Sequence, residues 1–505
     1  MQTLGAFDLI VVGGGVNGAG IARDAVGRGL SVLLVEKDDL AQGTSSRSGK
    51  LVHGGLRYLE HYEFRLVREA LIEREVLLNA APHIIWPMRF VLPHSREQRP
   101  AWLIRLGLFL YDHLGGRRRL PPTRALDLRA APEGAPIKRE FRKAFEYSDC
   151  WVDDARLVVL NALDVKERGG MVRLRTALTS ARRQPDGWVV TLADSAAGST
   201  VSAQGKALVN AAGPWVEDVL RSAGGNAENR VRLVKGSHIV TRKFWPGEHA
   251  YFLQNLDDRV IFVNPYEGDL CLIGTTDIPF EGAAEDVRIA PDEIEYLLCV
   301  VNRYFTAQLK PEDVISSFSG VRPLFDDHAA NPSAVTRDYV FDVDAPEASA
   351  PMLSVFGGKI TTYRKLAENA LDKLKPYFPR MGAAWTAGAA LPGGDMPNAD
   401  FNAWLLEFRA GEDWLPPEVA LGYCRRYGSR AAAVLGGARS LAELGRHFGG
   451  GFYEREARYL MAEEWATTAE DVLTRRTKHG LHLTPAERQA FAAWLAEESK
   501  CAPSP

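Results

Sequence analysis

The chain has 505 residues, too many for one ordinary domain at roughly 100–200 residues each, so two to three domains are expected. Its composition, 46% hydrophobic and 25% charged, is globular, and no segment reads as low-complexity or disordered. The net charge of −3 gives no field that would attract nucleic acid. Cys150, Cys271, Cys299, Cys424 and Cys501 are scattered without a CxxC pair, which argues against a zinc site and a disulfide framework and fits a reducing compartment. No basic stretch leads into an apolar one after Met1, so no secretory signal is expected. No apolar run approaches the ~18 residues of a spanning helix, so any membrane attachment is expected to be peripheral.

In chain order, Phe7–Val12 reads as a buried strand, Asn17–Gly29 as a helix with small and apolar residues at helical spacing, and Ser31–Val35 as a second strand ending at Glu36. This βαβ unit implies a buried parallel strand pair. Residues 60–80 read as a helix with Leu66, Ala70 and Leu77 on one side. Trp188–Leu192, Ala207–Asn210, Ser237–Thr241, Val260–Val263 and Leu270–Ile273 read as strands, placing a β-rich substrate-binding portion at about 185–345. It is interleaved with a nucleotide-binding portion across residues 1–390. The Gly/Pro-rich Leu391–Pro397 reads as a linker. Residues 398–505 read as a separate α-helical domain, with a capping box at Thr484-Pro485-Ala486-Glu487.

The turn between the first strand and helix, Gly13-Gly14-Gly15-Val16-Asn17-Gly18, is G-x-G-x-x-G, with Glu36 following 23 residues after Gly13. Each part has a task in binding a dinucleotide. Gly13 permits the tight turn, Gly15 admits a pyrophosphate at the helix N-terminus, Gly18 lets helix and strand pack closely, and Glu36 accepts ribose hydroxyls. The motif does not choose between NAD and FAD. Two further signals favour a long cofactor: the apolar strand running into Ala211-Ala212-Gly213-Pro214-Trp215, and Gly357-Gly358-Lys359 before an apparent helix. A glycine turn before a helix needs no ligand, so the last of these is unspecific alone.

Several stretches together resemble the FAD-dependent glycerol-3-phosphate dehydrogenases. They are Thr44-Ser45-Ser46 followed by Lys50-Leu51-Val52-His53-Gly54-Gly55-Leu56-Arg57-Tyr58-Leu59-Glu60, then Tyr147–Arg156, Lys235-Gly236-Ser237-His238, Ile273–Asp277, Ser319–Leu324, Thr336–Tyr339 and Gly357–Lys365. Nearly the whole chain is covered, and the resemblance is closest to the bacterial aerobic, quinone-linked enzymes. It implies an α/β fold in which a Rossmann-like FAD-binding domain is interleaved with the β-rich substrate domain, followed by the C-terminal α-helical domain. It also implies non-covalent FAD, oxidation of sn-glycerol 3-phosphate at C2 to dihydroxyacetone phosphate, and electron delivery to ubiquinone or another membrane quinone. The same resemblance implies a homodimer in the cytoplasm, bound peripherally to the inner face of the cell membrane. The loop Gly43–Gly49 departs from the family pattern at Arg47 and Gly49, which affects local loop shape.

A phosphate dianion beside a secondary alcohol needs cations, a proton acceptor and a flavin. Arg57, Arg322 and Lys359 are the expected cradle, with Tyr58 and Thr361 as hydroxyl donors and Arg337 as a further member. His238 is the favoured base because it titrates near neutral pH; Arg322 and Lys359 compete for that role and would stabilise an alkoxide. His53 with Gly54-Gly55 is expected at the flavin ring, and Gly13, Gly15, Asn17, Gly18, Glu36, Thr44, Ser45, Ser46, Lys50, Gly213, Gly358 and Lys359 elsewhere along the cofactor. Trp102–Tyr111, followed by Arg117-Arg118-Arg119, suits either a membrane interface or a core helix with a basic loop after it. The competing functional readings are a flavin oxidase of the same fold using dioxygen, and a nucleotide-binding scaffold without catalysis.

Overall fold

In the computed structural model, residues 2–501 are described except 96, 117–118, 225–230, 256, 258, 327–337 and 348. The chain opens with strand β1 (Gln2–Val12), helix α1 (Val16–Gly27) and strand β2 (Val32–Val35). Their parallel register pairs Leu9 with Val32 and Val12 with Val35. On its other side β1 pairs in parallel with Ser199–Asn210, which continues in parallel to Met352–Phe356. Four consecutive residues of β1 are buried because each face of this sheet is covered. Leu9 and Val11 pack with α1, with helix α4 (Asp154–Glu167) and with the helix Tyr363–Leu374. Ile10 and Val12 pack with Trp188 and Val190 of an antiparallel hairpin and with Val216. The continuous apolar run is thus the mark of a doubly covered parallel strand.

The second sheet has ten strands. Near one edge of it, Val231–Arg242 pairs antiparallel with Leu270–Gly274 on one side and with Ser316–Phe325 on the other. One face packs on the helix Pro291–Tyr304 through Leu297 and Val301. The other packs on helix α2 (Phe64–Ala80) and helix α3 (Ala101–Leu114) through Val67, Leu71, Leu108 and Tyr111. The strand-rich stretch expected at about 185–345 is divided between the two sheets. Gly187–Asp194 and Ser199–Asn210 belong to the first, whereas Ile85–His94 and Lys143–Val152, far upstream, belong to the second.

The last part of the chain builds its own core from Phe401, Tyr423, Leu460, Phe491 and their neighbours. The expected capping box is present: the Thr484 hydroxyl accepts from Glu487 N at 3.3 Å, and Thr484 N donates to the Glu487 carboxylate at 2.8 Å. The Leu391–Pro397 segment is closely packed, with Leu391 N donating to Ala80 O at 2.8 Å. Arg156 of α4 forms a buried ion pair with Glu464, joining the helical domain to the first sheet's covering layer.

Candidate active site

A cavity of about 1210 Å³ lies between the two sheets and is lined by residues from both. Typical small-molecule pockets measure roughly 300–1,000 Å³, so this one suits a long cofactor together with a small substrate. At one end it meets the β1–α1 turn. A Cβ at Gly18 would lie 1.9 Å from Gly13 O, and one at Gly13 would lie 2.5 Å from Ala211 O. Only glycine therefore allows the turn to sit this close to the Ser199–Asn210 strand end. Gly15, just before helix α1, has no side chain to cap it, which lets an anion come close to the backbone at the helix N-terminus. Glu36 accepts from Gly14 N at 2.6 Å and Asp38 N at 2.8 Å, and burial raises its carboxyl to about 7.

Further along, the Ser45 hydroxyl accepts from Val16 N at 3.0 Å, Thr44 donates to Val321 O at 2.7 Å, and Asn17 donates to Gly357 O at 3.0 Å. These bonds tie three separate stretches of chain around the cavity. Asn17 Oδ1 is buried without a partner among the described residues. Gly213 and Gly358 line the same wall.

The cavity wall also carries His53, Gly55, Arg57, Tyr58, His238, Arg322, Lys359 and Thr361. His53 N donates to the Thr361 hydroxyl at 3.2 Å, and the Lys359 ammonium lies 4.2 Å from the centre of the Tyr58 ring. Arg322 pairs with Asp277 at 3.0 Å. His238 stacks on Phe318 with ring centres 4.9 Å apart, and neither ring nitrogen has a partner among the described residues. A Cβ at Gly274 would collide with this ring at 2.1 Å, so the strand opposite must carry glycine there. Burial first, then Arg322 and Lys50, push the imidazole down to about 3, so it is neutral at pH 7 but a weaker base than the near-neutral titration expected from the sequence, because a protonated ring here would be both desolvated and beside two cations.

Some expected residues act from behind the wall. Lys50 is 3% exposed and pairs with Asp154 at 2.6 Å. Its ammonium also donates to Ser46 O at 3.2 Å. Gly54 N donates to the Tyr111 hydroxyl at 2.7 Å, and Tyr111 is in turn bonded to Asp149, which pairs with Arg74. These contacts fix the shape of the His53–Gly55 turn. Arg337 lies outside the described residues. Arg47, read from sequence only as a change of loop shape, lines the cavity and donates to Ser319 O at 3.2 Å. Gly320 makes room for it, since a Cβ there would meet Arg47 Cβ at 2.5 Å. The serine-glycine pair opposite the loop is visible in the sequence, but its pairing with residue 47 is not.

The site's glycine-lined turn, the helix N-terminus behind it and the half-buried Glu36 fit an adenine dinucleotide. In agreement, residues 8–364 match the family described as FAD dependent oxidoreductase. Residues 384–497 match the C-terminal domain of alpha-glycerophosphate oxidase. The chain is 63% identical to a D-erythritol 1-phosphate dehydrogenase from Brucella abortus, over 97% of each chain. It is 51% identical to the aerobic glycerol-3-phosphate dehydrogenase of Escherichia coli, again over 97% of each. Among solved structures, a glycerol-3-phosphate dehydrogenase from Bacillus halodurans complexed with FAD superposes with a TM-score of 0.79 at 27% identity, covering 98% of this chain and 90% of the other.

Proposed function

Because the chain belongs to the FAD-dependent oxidoreductases, with a C-terminal domain of the alpha-glycerophosphate oxidase type, we propose that it oxidises sn-glycerol 3-phosphate at C2 to dihydroxyacetone phosphate. The observation that carries this reading is the cavity itself. It has a dinucleotide end at Gly13–Gly18 and Glu36, and its wall also carries three cations, Arg57, Arg322 and Lys359, together with His238, whose ring nitrogens have no partner among the described residues. The chemistry supplied by bound FAD is acceptance of a hydride from carbon 2. Arg57, Arg322 and Lys359 hold the phosphate and stabilise the developing alkoxide. His238 takes the hydroxyl proton at a ring nitrogen as the hydride leaves carbon 2, so the alcohol becomes a neutral ketone and the ring an imidazolium; the departing hydride acidifies the hydroxyl and so drives the transfer. Relatives named for the same substrate, at 53% and 51% identity, support the assignment.

A second reading is favoured by the 63% relative: a four-carbon polyol phosphate, D-erythritol 1-phosphate, as substrate. Both require the same cations and base. The test is anaerobic bleaching of the oxidised-flavin spectrum by each compound. Bleaching by glycerol 3-phosphate with the higher kcat/KM supports the first reading; a tenfold preference for erythritol 1-phosphate moves the assignment to the second. No bleaching by either overturns both.

The electrons pass, on this proposal, to ubiquinone or another membrane quinone rather than to dioxygen, which a peroxide assay distinguishes. No helix among the described residues is long and apolar enough to cross a membrane. Helix α3 instead leaves Trp102, Leu106 and Phe109 exposed at 67%, 48% and 57%, and Tyr62 and Phe64 beside its base are exposed too. Such a face supports peripheral attachment at the inner side of the cell membrane. Of the basic triplet, Arg117 and Arg118 lie outside the described residues. Arg119 is held by Asn79 at 3.0 Å and by Asn398 O at 2.7 Å. A homodimer belongs to the same proposal, with sedimentation velocity as its check.

A further inference from the structure

Among the described residues, the C-terminal helical domain contributes none to the cavity wall, yet two of its arginines end on the loop that shapes the cofactor end. That loop runs from Glu36 to Ser46. Asp38, Ala41, Gln42, Gly43, Thr44 and Ser45 line the cavity, and Asp39 between them turns away from it. Asp39 is 1% exposed. Its carboxylate accepts from Arg475 Nε, Arg476 Nη1 and Arg476 Nη2, each at 2.7 Å. Two permanently charged forks on one buried carboxylate form a rigid, directional joint.

The same segment, Asp471–Arg476, also grips the strand turn on the other side of the loop. Arg475 donates to Asp471 at 2.6 Å, and Asp471 pairs with Arg175 at 2.7 Å. Arg175 N donates to Asp38 O at 2.8 Å, and its neighbour Thr176 N donates to Glu36 O, also at 2.8 Å. Thr176, Ala177 and Leu178 line the cavity. Within the loop, Ala41 holds a left-handed φ of 62° and donates to Gly14 O at 3.1 Å, so its shape is passed to the β1–α1 turn. A non-glycine residue in that conformation persists only where its surroundings over-determine it.

We propose that Arg475 and Arg476, acting through Asp39, are positioning residues for the cofactor: the C-terminal domain holds the 36–46 loop in its FAD-receiving shape and so sets how long the flavin stays bound. This rests on the pocket being the FAD site and is independent of which polyol phosphate is oxidised. Loss of the joint lets the loop relax away from the dinucleotide and leaves the His238 end in place.

The test compares Asp39→Asn and Arg476→Met with Leu460→Ala, a cavity variant in the C-terminal core that leaves Asp39, Arg475 and Arg476 themselves unchanged. Holoprotein is diluted into flavin-free buffer, and FAD release is followed by the rise of flavin fluorescence. Thermal unfolding of each apoprotein and the KM for substrate under saturating FAD are measured alongside. The joint variants are expected to release FAD at least tenfold faster than Leu460→Ala at comparable loss of Tm, with KM within twofold of the unsubstituted protein. Release at the unsubstituted rate in a folded joint variant overturns the proposal, as does equally fast release from Leu460→Ala. Should the joint variants fail to fold, Arg475→Lys with Arg476→Lys keeps both charges and removes the fork geometry, and the same two outcomes decide.

Discussion

At Gly18 one methyl group decides whether the cofactor end exists. A valine there places its Cβ against Gly13 O, so the turn must open. Gly18→Val is expected to purify colourless, with FAD content measured by absorbance after denaturation. His238→Ala is expected to lower kcat at least a hundredfold with KM changed less than fivefold, as removal of a general base does; a fall in binding with kcat preserved removes His238 from the mechanism. His83 is a second buried histidine, fully covered and without a ring partner among the described residues. Burial first, then Arg156, Arg425 and Arg430, lower it to about 3. Because its folded value is depressed, the unfolded chain takes up a proton below about 6.5 while the folded chain does not. Stability is therefore lost as pH falls, by about 2 kcal/mol between pH 7 and pH 5 for this group. His83→Leu is expected to shed that part of the pH dependence in denaturant titrations at the two pH values. At this scale the sequence showed the residue types with chemistry: His238, Arg322 and Lys359, far apart in the chain, all reach the wall of one cavity. It did not show Asp39, since a carboxylate in a loop carries no sign of two arginines arriving from more than 430 positions away.

Among the elements, helix α3 divides the two readings its composition left open. Leu108 and Tyr111 enter the core while Trp102, Leu106 and Phe109 stay in solvent, so it is a core helix on one face and an apolar surface on the other. Replacing those three exposed residues with serine is expected to abolish co-sedimentation with anionic vesicles and to leave activity with a soluble dye acceptor intact; undiminished sedimentation removes the helix from membrane contact. The β1–α1–β2 unit was legible because its periodicity, its glycines and its terminal glutamate all agree. Ile85–His94 was not. Pro87 and Pro93 disfavour a strand in isolation, but pairing along its whole length with Lys143–Val152 overrides that local preference. The split of the 185–345 stretch between two sheets is invisible for a related reason: alternation reports that a strand has a buried face, never which sheet receives it.

For the molecule as a whole, the domain junction is where charge is most deeply buried. Glu464 and Arg156 are both inaccessible at the side chain, and removing one partner of such a pair costs about 3–5 kcal/mol. Glu464→Gln is expected to lower Tm by several degrees, and the double apolar replacement Arg156→Met with Glu464→Leu to recover much of the loss, as differential scanning fluorimetry reads it. The order of strands in the first sheet has a consequence for how the protein is made. β1 leaves the ribosome well before the other strands its sheet needs, Ser199–Asn210 and Met352–Phe356. At roughly 5–20 residues per second, translation takes on the order of 20–70 s to bridge that distance. For that interval the nascent glycine turn has strand edges with no neighbour, a state that calls for chaperone cover. Flavin loading therefore belongs to the completed polypeptide, and a cell short of riboflavin would accumulate finished, colourless chains rather than stalled ones.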